Sequence, residues 1–200
     1  KMLYDQALTA LTYYLILLAT KNEFYKNVAD EIFTYVLRDM TSKEGGFYSA
    51  EDADSEGEEG LFYTWPLSEI EEVLEKDRAK QFIEIYNLEQ QGNFFDQATR
   101  ERTGRNIPHL TKSLTDLALE LDISEEQLRK ELEQDRQKLF KFRENRIHPH
   151  KDDKILTDWN GLMIAALATA GRAFGNEKYI QAAEDATKFI LENLTTKTNN

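Results

Sequence analysis

The sequence predicts an all-α fold of α-hairpins arranged as part of a toroid, with a small β-like hairpin around an acidic loop. Three observations predict it. Two stretches each pair a helix that is apolar on nearly every face with a following amphipathic helix. The two pairs match each other at a constant spacing. The 200 residues include only 3 prolines and 9 glycines, which favours helix over a strand-rich fold.

Leu3, Ala7, Leu8, Ala10, Leu11, Tyr14, Leu15, Leu17 and Leu18 fall at helical spacing over residues 1–20. A helix apolar on nearly all faces is expected to be buried on both sides, as an inner helix. Lys21-Asn22-Glu23 turns the chain into an outer helix over 24–40. That helix has an apolar stripe at Val28, Ile32, Tyr35 and Val36, and a polar face with Lys26, Asp30, Glu31 and Arg38.

Residues 157–174 and 177–194 repeat the arrangement. Tyr25, Ile32, Tyr35, Val36, Leu37 and Met40 correspond to Tyr179, Ala186, Phe189, Ile190, Leu191 and Leu194, each 154 residues later. The turn Asn22-Glu23 maps onto Asn176-Glu177 at the same offset, whereas Asp5 and Asp158 are paired only by allowing one indel. Matching turns, helix starts and aromatic positions indicate a repeated supersecondary unit. The expected organisation is a partial barrel domain over 1–200, with hairpins at 1–40 and 157–194 and an insertion at 41–156. Lys1 opens inside a helix, and the second copy stops at Asn199-Asn200 where the first begins Gly45-Gly46-Phe47. The expectation is therefore a fragment of a larger toroid.

Within the insertion, Glu44-Gly45-Gly46 breaks the helix. Phe47–Ser49 and Leu61–Trp65 read as strand-like aromatic runs. Ser68-Glu69-Ile70-Glu71 reads as a capping box opening a helix to about residue 74, and a further helix covers 77–86. Residues 90–111 read as irregular. Ser124-Glu125-Glu126-Gln127 is a second capping box, opening a charged helix to about residue 144, and residues 145–154 form a loop.

A net charge of −12 argues against nucleic-acid and anionic-membrane partners, which are themselves negative. With no cysteine there is no disulfide, thiol nucleophile or zinc thiolate. No signal peptide is visible and the run Leu15–Ala19 is far too short to cross a bilayer, so a cytoplasmic location is expected. No phosphate loop, nucleotide fingerprint or Ser-His-Asp spacing is present, and no cofactor is expected.

Loops leading into inner helices would place chemistry at the positive ends of those helices. The loop Glu51–Gly60 carries six carboxylates and no basic residue. Asp52, Asp54, Glu56 and Gly57 fit the first half of a calcium loop, but Tyr63 stands where a bidentate Glu is needed, so no metal is expected. The other readings are a solvated loop, or a catalytic carboxylate raised by like charges, for which Asp52 and Asp54 are the candidates. His148 and His150 flank Pro149 and are candidate acid–base groups, or plain turn residues. Tyr48, Trp159 and Asn160 are candidate substrate contacts, with Trp159 suited to stacking on a sugar ring or to ordinary packing. Asp158 joins them, or serves as a first-turn acid. Together these residues are expected to converge on one concave site.

Lys1–Ala7 (KMLYDQA), Gly45–Ser55 (GGFYSAEDADS) and Asp153–Met163 (DKILTDWNGLM) resemble three signatures of one family. It is the thioredoxin-domain-containing proteins related to spermatogenesis-associated protein 20, and the resemblance spans nearly the whole chain. Asp158 departs from it, since Ser is the family's usual residue there, which weakens a catalytic role for Asp158 itself. The resemblance implies an N-terminal thioredoxin-like domain, absent here, followed by an (α/α)6 barrel similar to N-acylglucosamine 2-epimerases and six-hairpin glycosidases. It implies binding or processing of a sugar-like small molecule in carbohydrate metabolism, by a glycosidase- or epimerase-like enzyme if there is catalysis. The competing expectation is a non-catalytic scaffold serving the linked thioredoxin-like domain.

Overall fold

The computed structural model describes residues 1–95 and 101–195. The repeat terminus at Asn199-Asn200 and five positions of the stretch expected to be irregular lie outside them. In chain order the described elements are α1 (Leu3–Thr20), α2 (Glu23–Asp39), β1 (Ala50–Glu51), β2 (Asp54–Ser55), β3 (Glu58–Glu59), α3 (Leu67–Val73), α4 (Lys76–Ile85), α5 (Leu114–Glu120), α6 (Glu125–Arg143), β4 (Lys151–Asp152), α7 (Thr157–Phe174) and α8 (Glu177–Asn193). The protein is mostly helical. None of the described helices is long and apolar enough to cross a membrane. The chain divides into two compact units: residues 1–52 with those from 150 onward, and residues 53–149.

The first unit is the pair of α-hairpins. Each boundary of α1 and α2 recurs 154 residues later in α7 and α8. The turns share their chemistry. Each inner helix ends in a left-handed residue, Lys21 (φ 57°) or Gly175 (φ 63°). Each outer helix is capped by an asparagine whose side-chain oxygen accepts an N–H, from Phe24 at 3.0 Å or from Lys178 at 3.1 Å. The equal boundaries correct the pairing of Asp5 with Asp158. With no indel, Tyr4 is the counterpart of Asp158, and Asp5 that of Trp159.

The two inner helices pack on each other, and they bury different faces. α1 buries Leu3, Ala7, Ala10 and Leu17, whereas α7 buries Asn160, Met163, Ala166, Leu167, Ala170 and Gly171. One core joins the four helices, with Phe33, Val36, Met40 and Phe47 fully buried in it. Leu8, Leu15 and Leu18 of α1 remain exposed, so burial on both sides is not met within this chain. Gly171 lets α7 approach α8 closely; a Cβ there would lie 2.8 Å from Ile180.

The second unit holds α3 to α6 and the hairpin β2–β3, around two smaller apolar clusters. Ser124 caps α6 as the sequence indicates, accepting the Gln127 N–H at 3.1 Å. Ser68 does not cap α3. The helix starts at Leu67 behind Pro66, and no side chain caps it. The sequence reading missed α5, which Ser113 caps. Leu61–Trp65 is not a strand. The N–H groups of Tyr63 and Thr64 both reach the Gly60 carbonyl at 3.0 Å, forming a turn, and only Trp65 bridges to Asn106.

Polar side chains brace this unit's backbone. Asn106 is fully buried. Its oxygen accepts N–H groups from Glu89 and Asn93, and its nitrogen donates to the carbonyls of Trp65 and Glu89. Arg105 and Arg146 both donate to the Leu61 and Thr64 carbonyls, and Arg146 also pairs with Glu69. Burial pulls the Arg146 guanidinium down, against the raising effect of Glu69. Between α4 and α6, Arg78 holds the buried carboxylate of Asp135.

Candidate functional site

The sequence-predicted site residues fall in both units. Tyr48, Asp52, His150, Asp158, Trp159 and Asn160 belong to the first, and Asp54 and His148 to the second.

In the first unit, the segment after α2 runs antiparallel to the segment before α7. β1 pairs with β4, Ala50 opposite Asp152 and Glu51 opposite Lys151. The ladder extends one step further, where the Asp52 N–H donates to the His150 carbonyl at 2.8 Å. Asp52 and His150, far apart in sequence, are thus cross-strand neighbours. Directly opposite residues share a face, with Cβ atoms about 5 Å apart. Both are exposed. On the other side β1 is tied to the start of α1: Glu51 N–H donates to the Lys1 carbonyl at 2.9 Å, and Leu3 N–H to that of Ser49, also at 2.9 Å.

Strand alternation sorts the side chains. Tyr48, Ala50 and Asp52 lie on the accessible face, while Ser49 and Glu51 point inward and are buried. Glu51 is only 5% exposed, and the Lys1 ammonium lies 3.6 Å from its carboxylate. That ammonium also sits 4.1 Å from the Tyr35 ring centroid. Burial, then the charges of Glu51 and Asp39, push the Tyr35 phenol far above the ordinary tyrosine range. The sequence reading passed over Glu51 and Tyr35. Period-two alternation through Tyr48–Asp52 was the signal that could have separated Glu51 from its solvated neighbours.

Asn160 is fully buried, and it organises this platform from below. Its oxygen accepts the Phe47 N–H at 2.8 Å; its nitrogen donates to the carbonyls of Phe47 at 2.9 Å and Leu156 at 3.0 Å. Both amide hydrogens are donated and the side chain is fully buried, so Asn160 positions the loop and is not open to a ligand. Gly46 beside it has no room for a side chain, since a Cβ would lie 2.8 Å from Ile155 and 2.9 Å from Phe189. Trp159 is half-buried and meets Tyr4 edge to face, 4.8 Å between ring centroids. Asp158 is exposed, and its carboxylate accepts the Trp159 N–H at 2.9 Å, the bond of a first-turn acid.

In the second unit the acidic loop is a tight hairpin. Asp54 faces Glu59, Ser55 faces Glu58, and Glu56 (φ 56°) and Gly57 (φ 83°) form the two-residue turn, both left-handed as a type I′ turn requires. A calcium loop cannot wind through that turn, and no group of three metal-ligating side chains occurs among the described residues. Asp54 is exposed. His148 packs against Phe62 with the rings tilted by 42°, 4.6 Å between ring centroids, and its Nε2 lies 3.7 Å from the Glu144 carboxylate.

Comparison with known proteins agrees with the signatures. No family model matches the chain. It is 34% identical over 97% of its length to spermatogenesis-associated protein 20 of Homo sapiens and of Mus musculus, and 33% identical over 95% to an uncharacterised protein of Caenorhabditis elegans. The chain is related to the spermatogenesis-associated protein 20 family. It spans 27% of the length of the human and mouse proteins.

Proposed function

We propose, from that relation and the geometry of the first unit, that the β1–β4 platform is part of a binding or processing site for a sugar-like molecule. The observation that carries the reading is the Asp52/His150 pair. A carboxylate and an imidazole stand opposite each other on an accessible face, with Tyr48 four residues before Asp52, just ahead of β1 and on the same face. A carboxylate accepts hydroxyl hydrogens, an imidazole works as acid or base near neutrality, and an aromatic ring offers a stacking face. A glycosidase-like or epimerase-like reaction would use this pair as its acid–base groups. The two hairpins support a further reading, an (α/α)6 toroid; the resemblance of the three signatures adds to that reading a linked thioredoxin-like domain in a cytoplasmic whole protein.

The test is calorimetry with the full-length protein against a panel of neutral and amino sugars. Binding is expected, with loss of about tenfold or more in affinity in Asp52→Asn and His150→Ala, the effect of removing a charge-assisted hydrogen bond. Absence of binding across the panel would sink the reading.

Exposed Leu8, Leu15 and Leu18 on α1 favour a second reading, a non-catalytic scaffold for the thioredoxin-like domain. On that reading Leu15→Asp disrupts association with the domain, and Asp52→Asn changes nothing.

A further inference from the structure

An apolar groove of the first unit, about 510 Å³, runs between α7 and α8 and is lined by residues including Ile164, Ala168, Ile180, Glu184, Thr187 and Leu191. Its chemistry becomes specific when the 154-residue repeat is applied to it. The counterparts of Ala168, Ile180, Glu184 and Thr187 on the first hairpin are Tyr14, Lys26, Asp30 and Phe33. All four contact the second hairpin. Tyr14 meets the Phe174 ring edge-on at 5.9 Å between centroids, and the Lys26 ammonium lies 5.4 Å from the same ring. Asp30 accepts the Tyr179 hydroxyl at 2.8 Å, and Phe33 packs on the Tyr179 ring at 4.9 Å. The groove is therefore the repeat-equivalent of the surface by which the first hairpin receives the second.

We propose that the groove receives a third α-hairpin of the same repeat, supplied by the same polypeptide in the full-length protein. Two side chains of that hairpin follow from the established interface. An aromatic residue ending its inner helix, at the position of Phe174, covers Ala168 and Ile180. A tyrosine in the first turn of its outer helix, at the position of Tyr179, donates its hydroxyl to Glu184 and lays its ring over Thr187. Alanine in place of Tyr14 and threonine in place of Phe33 make the receiving surface hollower, so the incoming rings can seat more deeply. A second copy of this chain fits less well. Its first hairpin would bring Tyr25 to the position of Tyr179 but Thr20 to that of Phe174. Relatives in which this chain covers only 27% of the length have ample polypeptide for a further hairpin. The inference rests on the repeat reading of the fold and is independent of the sugar ligand.

The experiment uses full-length protein with p-benzoylphenylalanine in place of Leu191, which is 62% exposed in this chain. Irradiation followed by peptide mass spectrometry is expected to give an intramolecular cross-link to a segment with the alternation of two paired helices. In parallel, Leu191→Cys should alkylate about tenfold or more slowly than Lys178→Cys on the opposite side of α8, because a covered side chain reacts only on opening. Cross-links between two copies, cross-links to a non-helical segment, or equal alkylation of the two cysteines would each overturn the proposal. Sugar binding measured on the same samples reports separately on the platform, so failure of one reading is distinguishable from failure of the other.

Discussion

Phe33 and Asp135 are both buried, and each represents its half of the chain. Phe33 is fully buried in an apolar core to which all four helices of the hairpin unit contribute. Asp135 lies in α6 and is neutralised by Arg78 from α4, while Arg105, Arg146 and Asn106 of the same unit hold backbone carbonyls. The hairpin unit depends on packed area; the 53–149 unit depends on long polar side chains that finish the hydrogen bonds of irregular backbone. The difference follows from the elements. Long helices satisfy their own backbone, so their side chains are free to pack. Short helices joined by turns leave carbonyls that something must meet.

The comparison can be broken by substitution, with peptide-resolved hydrogen exchange or thermal melting as the readout. The largest expected effect is Phe33→Ala, costing about 4 kcal/mol and confined to the hairpin unit. Arg78→Ala is expected to cost about 3 kcal/mol in the other unit, because it strands a buried carboxylate. A loss below about 1 kcal/mol would show that Asp135 is not paired as described. Asn106→Ala and Asn160→Ala should each cost about 2 kcal/mol, since each orphans buried backbone groups. Equal losses would mean that the two units share this one device.

Smaller still are the helix caps. Asn22→Ala and Asn176→Ala should each cost about 1 kcal/mol, and their near equality is the sharpest test of the repeat. The last effect is absent at neutral pH. Burial and the hydrogen bond to Asp30 raise the Tyr179 phenol above its ordinary value of 10.0. The native state then keeps a proton that the unfolded chain releases, so stability falls as pH climbs above about 10. Tyr179→Phe should remove its share of that alkaline loss, measured as melting temperature against pH. An unchanged slope would count against the Asp30 contact.

Much of the hairpin architecture was legible, because apolar spacing and the Asn22 and Asn176 turns are local signals. The buried faces were less so. The helix over 1–20 was expected to be buried on both sides, yet Leu8, Leu15 and Leu18 are exposed, since which side of an inner helix meets its neighbour depends on hairpin packing. In the 53–149 unit, α5 was missed although Ser113 caps it locally, and the Leu61–Trp65 turn was misread because Arg105, Asn106 and Arg146, distant in sequence, hold its carbonyls. The candidate site shows the same limit. Asp52 and His150 could each be named from the sequence as chemistry-bearing residues, but their pairing is set by the strand register of β1 and β4. Glu51 was lost among five other acids because only its direction distinguishes it.

The extended ladder has a topological consequence. The chain leaves the hairpin unit at Asp52 and returns at His150, where one main-chain hydrogen bond of 2.8 Å already joins the two points. Two antiparallel strands that close can be linked by two residues such as Asn-Gly. Everything from Ala53 to Pro149 is therefore an excursion from what is otherwise a single continuous hairpin turn. Replacing it with that dipeptide would leave four helices connected through a stub of ladder. A segment inserted in this way can lengthen, shorten or be exchanged between relatives without the helical repeat having to change its wiring.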